Sequence, residues 1–223
     1  MEAYDHAVGC NPGYVGAYNN KGGALEAAGN VLAHLSRNEE ALAAYQSAIQ
    51  CFEEALRRSP DSVFGHFGKA KALARLAGLQ ASLSRRPEAQ ANYRAGVESY
   101  DEMLRRSPGD AEVLHKKGIA LLGLGRLHAS MSQPPEALAT YRAAIESFDA
   151  ALRRDPDYIS AYDNRGSALE SAGAMLAFLS RNEEALASYN AAVQSFNEVL
   201  KRTPDNTLAQ KNKATVLKSI GDL

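Results

Sequence analysis

The sequence predicts an all-α solenoid of antiparallel helix pairs, and three observations predict it. Prolines recur 48 residues apart, at Pro12, Pro60, Pro108, Pro156 and Pro204. Between them apolar residues recur at spacings of three and four, the pattern of a helix with one buried stripe. Helix start and stop signals repeat in the same register. A fixed period of this length marks a stacked repeat, in which each unit buries its stripe against the next.

The units follow in order without a gap. Residues 11–58, 59–106, 107–154 and 155–202 are four whole units of one repeat domain spanning 1–223. Residues 1–10 align with the end of a second helix, Tyr4 with Phe52 and Val8 with Leu56, and 203–223 with a lone first helix. The expectation is a piece of a longer array. Framework columns include Leu25, Leu73, Leu121, Leu169 and Leu217, the tyrosines Tyr45, Tyr93, Tyr141 and Tyr189, and the aromatics Phe52, Tyr100, Phe148 and Phe196.

Within a unit, the first helix runs from two residues after the proline to Ser36, Ser84, Ser132 or Ser180. The second runs from about Glu39 to Arg58 and its equivalents. Asn38 and Asn182 are expected as N-caps, and Pro87 and Pro135 at the first helical position, where a missing N–H costs nothing. Arg57-Arg58 and later basic pairs complement the C-terminal dipole and pair with acids such as Glu54 and Glu198. Small residues at Gly22, Ala70, Gly118 and Gly166 mark where a neighbouring side chain packs on the backbone, since glycine in mid-helix otherwise costs up to about 1 kcal/mol.

Composition excludes several classes. The 223 residues carry 23% charged side chains and a net charge of -1, without the basic excess of a nucleic-acid binder. No apolar stretch approaches the roughly 18 residues of a membrane span. Cys10 and Cys51 form no disulfide framework, and no signal peptide opens the chain; both point to the cytoplasm. His6, His34, His66, His115 and His128 show no metal-ligand spacing. No nucleophile motif surrounds any serine, and the glycines are helical rather than phosphate-cradling. The sequence therefore predicts no enzyme, no cofactor and no metal.

The stretch Ala161-Tyr162-x-Asn164-Arg165-Gly166-x-Ala168-Leu169, with Glu184-Ala185-Leu186, Phe196, Leu200 and Pro204 after it, resembles the tetratricopeptide repeat, and the likeness covers essentially the whole chain. That family's repeat has about 34 residues. The surplus of 14 fits seven residues added to each helix, close to two turns, so the stripe stays in phase. First helices of roughly 22 residues would span about 33 Å. The resemblance implies a right-handed superhelix whose first helices line a concave groove. The Lys/Asn set with which some members clamp a terminal carboxylate finds no match in Asn19, Gly23, Gly68, Glu112 and Lys116.

Comparing units separates framework from variable columns. Three variable columns face the groove if the resemblance holds, and they supply the candidate peptide-binding residues: Asn19, Phe67, His115 and Asp163; Lys71, Ile119 and Ser167; Glu26, Leu122 and Glu170. Phe67, Ile119 and Leu122 would form its apolar centre. The equally weighted alternative is a set of solvent-facing positions free to vary. A basic column, Lys21, Lys69, Lys117, Arg165 and Lys213, reads first as stems lying along a neighbouring helix. The predicted function is a non-catalytic scaffold that binds a protein or peptide in the groove, with no nucleic-acid or membrane partner. The competing prediction is a homo-oligomer stacking through its terminal half-repeats, whose apolar faces carry Tyr4, Ala7, Val8, Leu208, Leu217 and Ile220.

Overall fold

A computed structural model describes residues 13–223. Tyr4, His6, Ala7, Val8, Cys10 and Pro12, and with them the expected helix end at 1–10, lie outside the described residues. Among those described, every regular element is a helix: α1 Val15–His34, α2 Asn38–Arg58, α3 Val63–Ser82, α4 Arg86–Arg106, α5 Ala111–Ser130, α6 Pro134–Arg154, α7 Ile159–Phe178, α8 Asn182–Arg202 and α9 Thr207–Gly221. First helices begin at Val15, Val63, Ala111, Ile159 and Thr207, 48 residues apart.

The chain divides into two compact units, one ending at Pro108 and one beginning at Gly109. In the first, α1 to α4 pack consecutively and α1 also meets α3. In the second, α5 to α9 pack consecutively, α5 also meets α7, and α7 meets α9. First helices thus lie side by side in each unit, which is the packing of an all-α solenoid of tetratricopeptide-like helix pairs.

Helix ends follow from local chemistry. The first helices of the four pairs have 20 residues rather than 22, because the chain turns out of the helix on reaching the serine column. Ser36, Ser84, Ser132 and Ser180 all adopt positive φ, between 55° and 60°. In each case the serine N–H and the next N–H donate back into the last turn, as in Ser84 N to Ala81 O at 3.1 Å and Arg85 N to Gln80 O at 2.8 Å. This left-handed closure satisfies carbonyls the helix leaves open. At first-helix starts, Ser62, Asp110 and Asn206 accept from Gly65, Val113 and Ala209 backbone N–H.

Second helices start one residue earlier than the sequence suggests. Asn38 and Asn182 are the first helical residues, and Arg37 and Arg181 occupy the cap without a side-chain cap bond. Each arginine reaches forward instead, Arg37 to Glu40 and Arg181 to Glu184. Pro87 and Pro135 stand second in their helices rather than first; their missing N–H groups would have no intrahelical partner there either.

The glycine column behaves as predicted. A Cβ at Gly22, Gly118 or Gly166 would fall within 2.9, 2.6 and 2.7 Å of the rings of Phe52, Phe148 and Phe196. A second column adds to it. Gly29, Gly125 and Gly173 lie equally close to Tyr45, Tyr141 and Tyr189. Each of these helix pairs is therefore locked by two aromatic rings seated on bare backbone.

The expected acid pairs also form. Arg58 and Arg202 bond to Glu54 and Glu198, and their guanidinium groups lie over the rings of Tyr18 and Tyr162, 4.3 and 5.0 Å from the ring centres. Arg106 and Arg202 donate further to the carbonyls of Pro60 and Pro156, which ties the last turn of a pair to its opening loop. The framework leucine column is uneven: Leu73, Leu121 and Leu169 are buried, but Leu217 is 49% exposed, while Val216 stays buried like Ala72, Ala120 and Ala168 at its register.

Candidate functional site

In the first unit, α1 and α3 frame a cleft of about 570 Å³. Asn19, Asn20 and Glu26 line it from α1, Phe64, Phe67 and Lys71 from α3, and the buried Phe52 forms part of its wall. Glycines open the space: nothing would meet a Cβ at Gly23, and Gly68 lies against the Phe52 ring. Phe64 stands 78% exposed at the rim. Phe67 is held by an edge contact with Tyr100, ring centres 6.3 Å apart and planes at 69°. Four of the sequence-predicted residues, Asn19, Glu26, Phe67 and Lys71, thus come together here.

The electrostatics centre on Glu26, which is only 4% exposed. Lys71 Nζ lies 2.9 Å from Oε2, Asn30 Nδ2 donates to Oε1 at 2.9 Å, and Arg75 Nε stands 3.9 Å from Oε1. The Tyr45 hydroxyl donates to Asn30 Oδ1 at 2.9 Å, which links the network to the core. A buried carboxylate needs this company, since an unpaired charge there would cost several kcal/mol. Asn19 donates to Ser62 Oγ at 3.3 Å, and its buried Oδ1 has no partner.

In the second unit the predicted residues divide. Ile119 is exposed on α5. On α7, Asp163, Ser167 and Glu170 are half-buried. Burial pushes the carboxyls of Asp163 and Glu170 up, with Arg126 opposing the shift at Glu170. Asp163 Oδ1 is buried without a partner, like Asn19 at the equivalent position.

His115 and Leu122 differ from the groove positions expected of them, because both are buried. The His115 ring packs against Tyr158 and Phe148, with ring centres 4.6 and 5.8 Å away. Asn164 Nδ2 lies 2.9 Å from Nε2 and the Tyr158 hydroxyl 2.9 Å from Nδ1. Burial, then Lys116, pulls the imidazole down to about 4, so it is neutral at pH 7. Leu122 is buried with Leu121 and Leu124, so the apolar stripe of α5 is broader than the column comparison implied.

Two members of the basic column act as ties. Lys69 pairs with Glu53 at 2.8 Å, and Arg165 donates to Asp149 at 2.5 Å and Ser195 at 2.7 Å. Lys69 joins α3 to α2, and Arg165 joins α7 to α6 and α8. Among the described residues, no group of three His, Cys, Asp or Glu side chains could hold a metal ion, and no helix is long and apolar enough to cross a membrane.

Sequence reasoning missed Phe64 and Arg75. Phe64 belongs to a column holding Gly16, Phe64, Glu112 and Ser160, as variable as the three columns chosen and one turn before the first of them. Nothing local distinguished Arg75; its role emerges only once α1 and α3 lie together.

Comparison with known proteins adds a family to this geometry. A search of curated proteins finds no match. Among solved structures, BtubC (BKLC) from P. vanneervenii aligns with 97% of this chain and 85% of its own at 13% identity, with a TM-score of 0.63. That likeness shows a shared fold. MamA aligns at 16% identity over 90% of this chain and 88% of its own, TM-score 0.45. TTC0263, a TPR protein from Thermus thermophilus, aligns at 19% identity over 88% of this chain and 98% of its own, TM-score 0.41. At the level of family, the model for the plant-specific mitochondrial import receptor subunit TOM20 matches residues 88–220, more than half of the sequence. The chain belongs to that family.

Proposed function

We propose that the chain is a non-catalytic scaffold that binds a peptide or protein segment along the faces of its first helices, with the α1–α3 cleft as a principal contact. One observation carries this reading: Phe64 and Phe67 present aromatic surface in an open cleft beside a charged network. Exposed aromatics in a concave site are costly unless a partner covers them, and aromatic anchors dominate binding energy at interfaces. The family's description, an import receptor, supports a role in recognising polypeptides. We propose further that the chain does so from the cytoplasmic side of mitochondrial import.

The test is capture of radiolabelled mitochondrial precursor proteins by the purified chain, compared with a Phe64→Asp/Phe67→Asp variant. The expected result is lost capture with an unchanged helical circular-dichroism spectrum. Unaltered capture would move the site elsewhere, and no capture by either protein would sink the reading.

A second reading has its own observation. Leu208 and Leu217 of α9 are 57% and 49% exposed, a face that another copy of the chain could cover. Sedimentation over a range of concentrations separates the two: a monomer that captures precursors favours the scaffold, and a dimer or polymer dissociated by Leu217→Glu favours self-assembly.

A further inference from the structure

We infer that the α7–α9 face of the second unit takes a lysine or arginine side chain of the bound segment, with the Glu170 carboxylate as its counter-ion, a reading that rests on the first-helix faces being the binding surface. Glu26 and Glu170 stand at the same place in their repeats, three repeats apart. In the first unit the chain itself completes the acid. Lys71 Nζ lies 2.9 Å from Glu26 Oε2, Asn30 Nδ2 donates to Oε1 at 2.9 Å, and Arg75 Nε stands 3.9 Å from Oε1. In the second unit the same three positions hold Thr215, Ala174 and Ser219. None carries a charge. The two hydroxyls donate to carbonyls of their own helix, Thr215 to Lys211 O at 3.1 Å and Ser219 to Thr215 O at 3.2 Å.

The column thus keeps its acid and loses every partner. Glu170 is half-buried and joins no ion pair or hydrogen bond among the described residues. Burial pushes its carboxyl up, and Arg126 of α5 opposes this without pairing with it. Asp163, two turns earlier on α7, is in the same condition: burial alone raises its carboxyl, and its Oδ1 has no partner. Among the described residues no ion pair joins Lys211, Lys213 or Lys218 of α9 to either acid.

The first unit shows what this carboxylate position holds: an ammonium group whose stem comes from the neighbouring first helix. Thr215, short and exposed, supplies neither stem nor charge. A half-buried carboxylate without a cation is unfavourable, and a cationic side chain brought by the segment supplies the missing half. Its aliphatic stem can lie along the helix while its head meets the acid. Complementary charge of this kind sets the register of a bound segment more than its raw affinity.

The experiment uses the full chain and three fluorescent peptides that share one Phe/Leu pattern and differ only in flanking residues: Lys, Gln or Glu. Anisotropy at low ionic strength is expected to rank them Lys, Gln, Glu, with roughly fivefold between neighbours, the scale of one part-exposed ion pair. The spread should collapse at about 1 M salt, where the screening length is about 3 Å. In Glu170→Gln the ratio of Lys-peptide to Gln-peptide affinity should fall toward one. In Thr215→Lys it should fall as well, because the restored internal cation competes for the same carboxylate. Glu183→Gln, an exposed change of equal charge on α8, should leave the ratio as it is. Equal affinities, a Lys preference that survives in Glu170→Gln, or an equal fall in Glu183→Gln would overturn the role of Glu170 alone. No binding of any peptide would overturn both this inference and the first-helix faces as a binding surface.

Discussion

The ring of Phe196 rests on the backbone of Gly166: a Cβ at 166 would come within 2.7 Å of its Cε1 and Cζ atoms. Phe196 is fully buried, so the ring has little room to yield. Gly166→Val should therefore destabilise the fold by about 1–3 kcal/mol, the usual cost of overpacking. Chemical denaturation measures it. Trimming the ring with Phe196→Leu should recover part of the loss, giving a favourable coupling in the double-mutant cycle. Purely additive losses would mean that the two positions do not meet.

The serine column makes the opposite kind of prediction. Ser84 holds φ at 60°, a region where a Cβ crowds the following carbonyl. Ser84 closes the helix through backbone bonds, and glycine keeps those bonds without the strain. Ser84→Gly should raise stability by about 0.5–1 kcal/mol, visible as a higher thermal midpoint. A lower midpoint would show that the serine side chain contributes more than its strain costs.

His115 predicts a pH dependence. Its folded value, about 4, lies below the ordinary 6.5. Between those values the unfolded chain binds more protons than the folded one, so stability rises with pH across the window. The contribution is fully present above pH 6.5 and is lost as pH falls toward 4, about 3 kcal/mol at 1.36 kcal/mol per unit. Asp163 and Glu170 work in the reverse sense, since their raised carboxyls favour the folded state at low pH. The difference between wild type and His115→Phe isolates the imidazole. The wild type should lose more stability than the variant between pH 6.5 and 4; parallel curves would show that the ring protonates freely in the fold.

The α1–α3 cleft was only partly legible in the sequence. The variable columns named Asn19, Glu26, Phe67 and Lys71, and these do meet. The same columns named His115 and Leu122, which the fold buries. Variation between units marks positions released from the framework, but such a position can vary because it faces a ligand or because its neighbours vary with it. His115 is of the second kind: Tyr158 and Asn164 shape a pocket for it, 43 and 49 residues away.

By itself the sequence determined what is local or periodic: helix pairs, their register, their closing basic residues, and the bare backbone beneath Phe52, Phe148 and Phe196. These follow from the helical period and from caps that act over three or four residues. Tertiary structure alone decided exposure and pairing. Glu26 on α1 meets Lys71 on α3, nearly a full repeat away in the chain. Leu217, a framework leucine by register, is half exposed, because in its unit α9 packs only on α7 and α8. Burial and charge compensation depend on which helices lie alongside, and stacking sets that, not the pattern within any one helix.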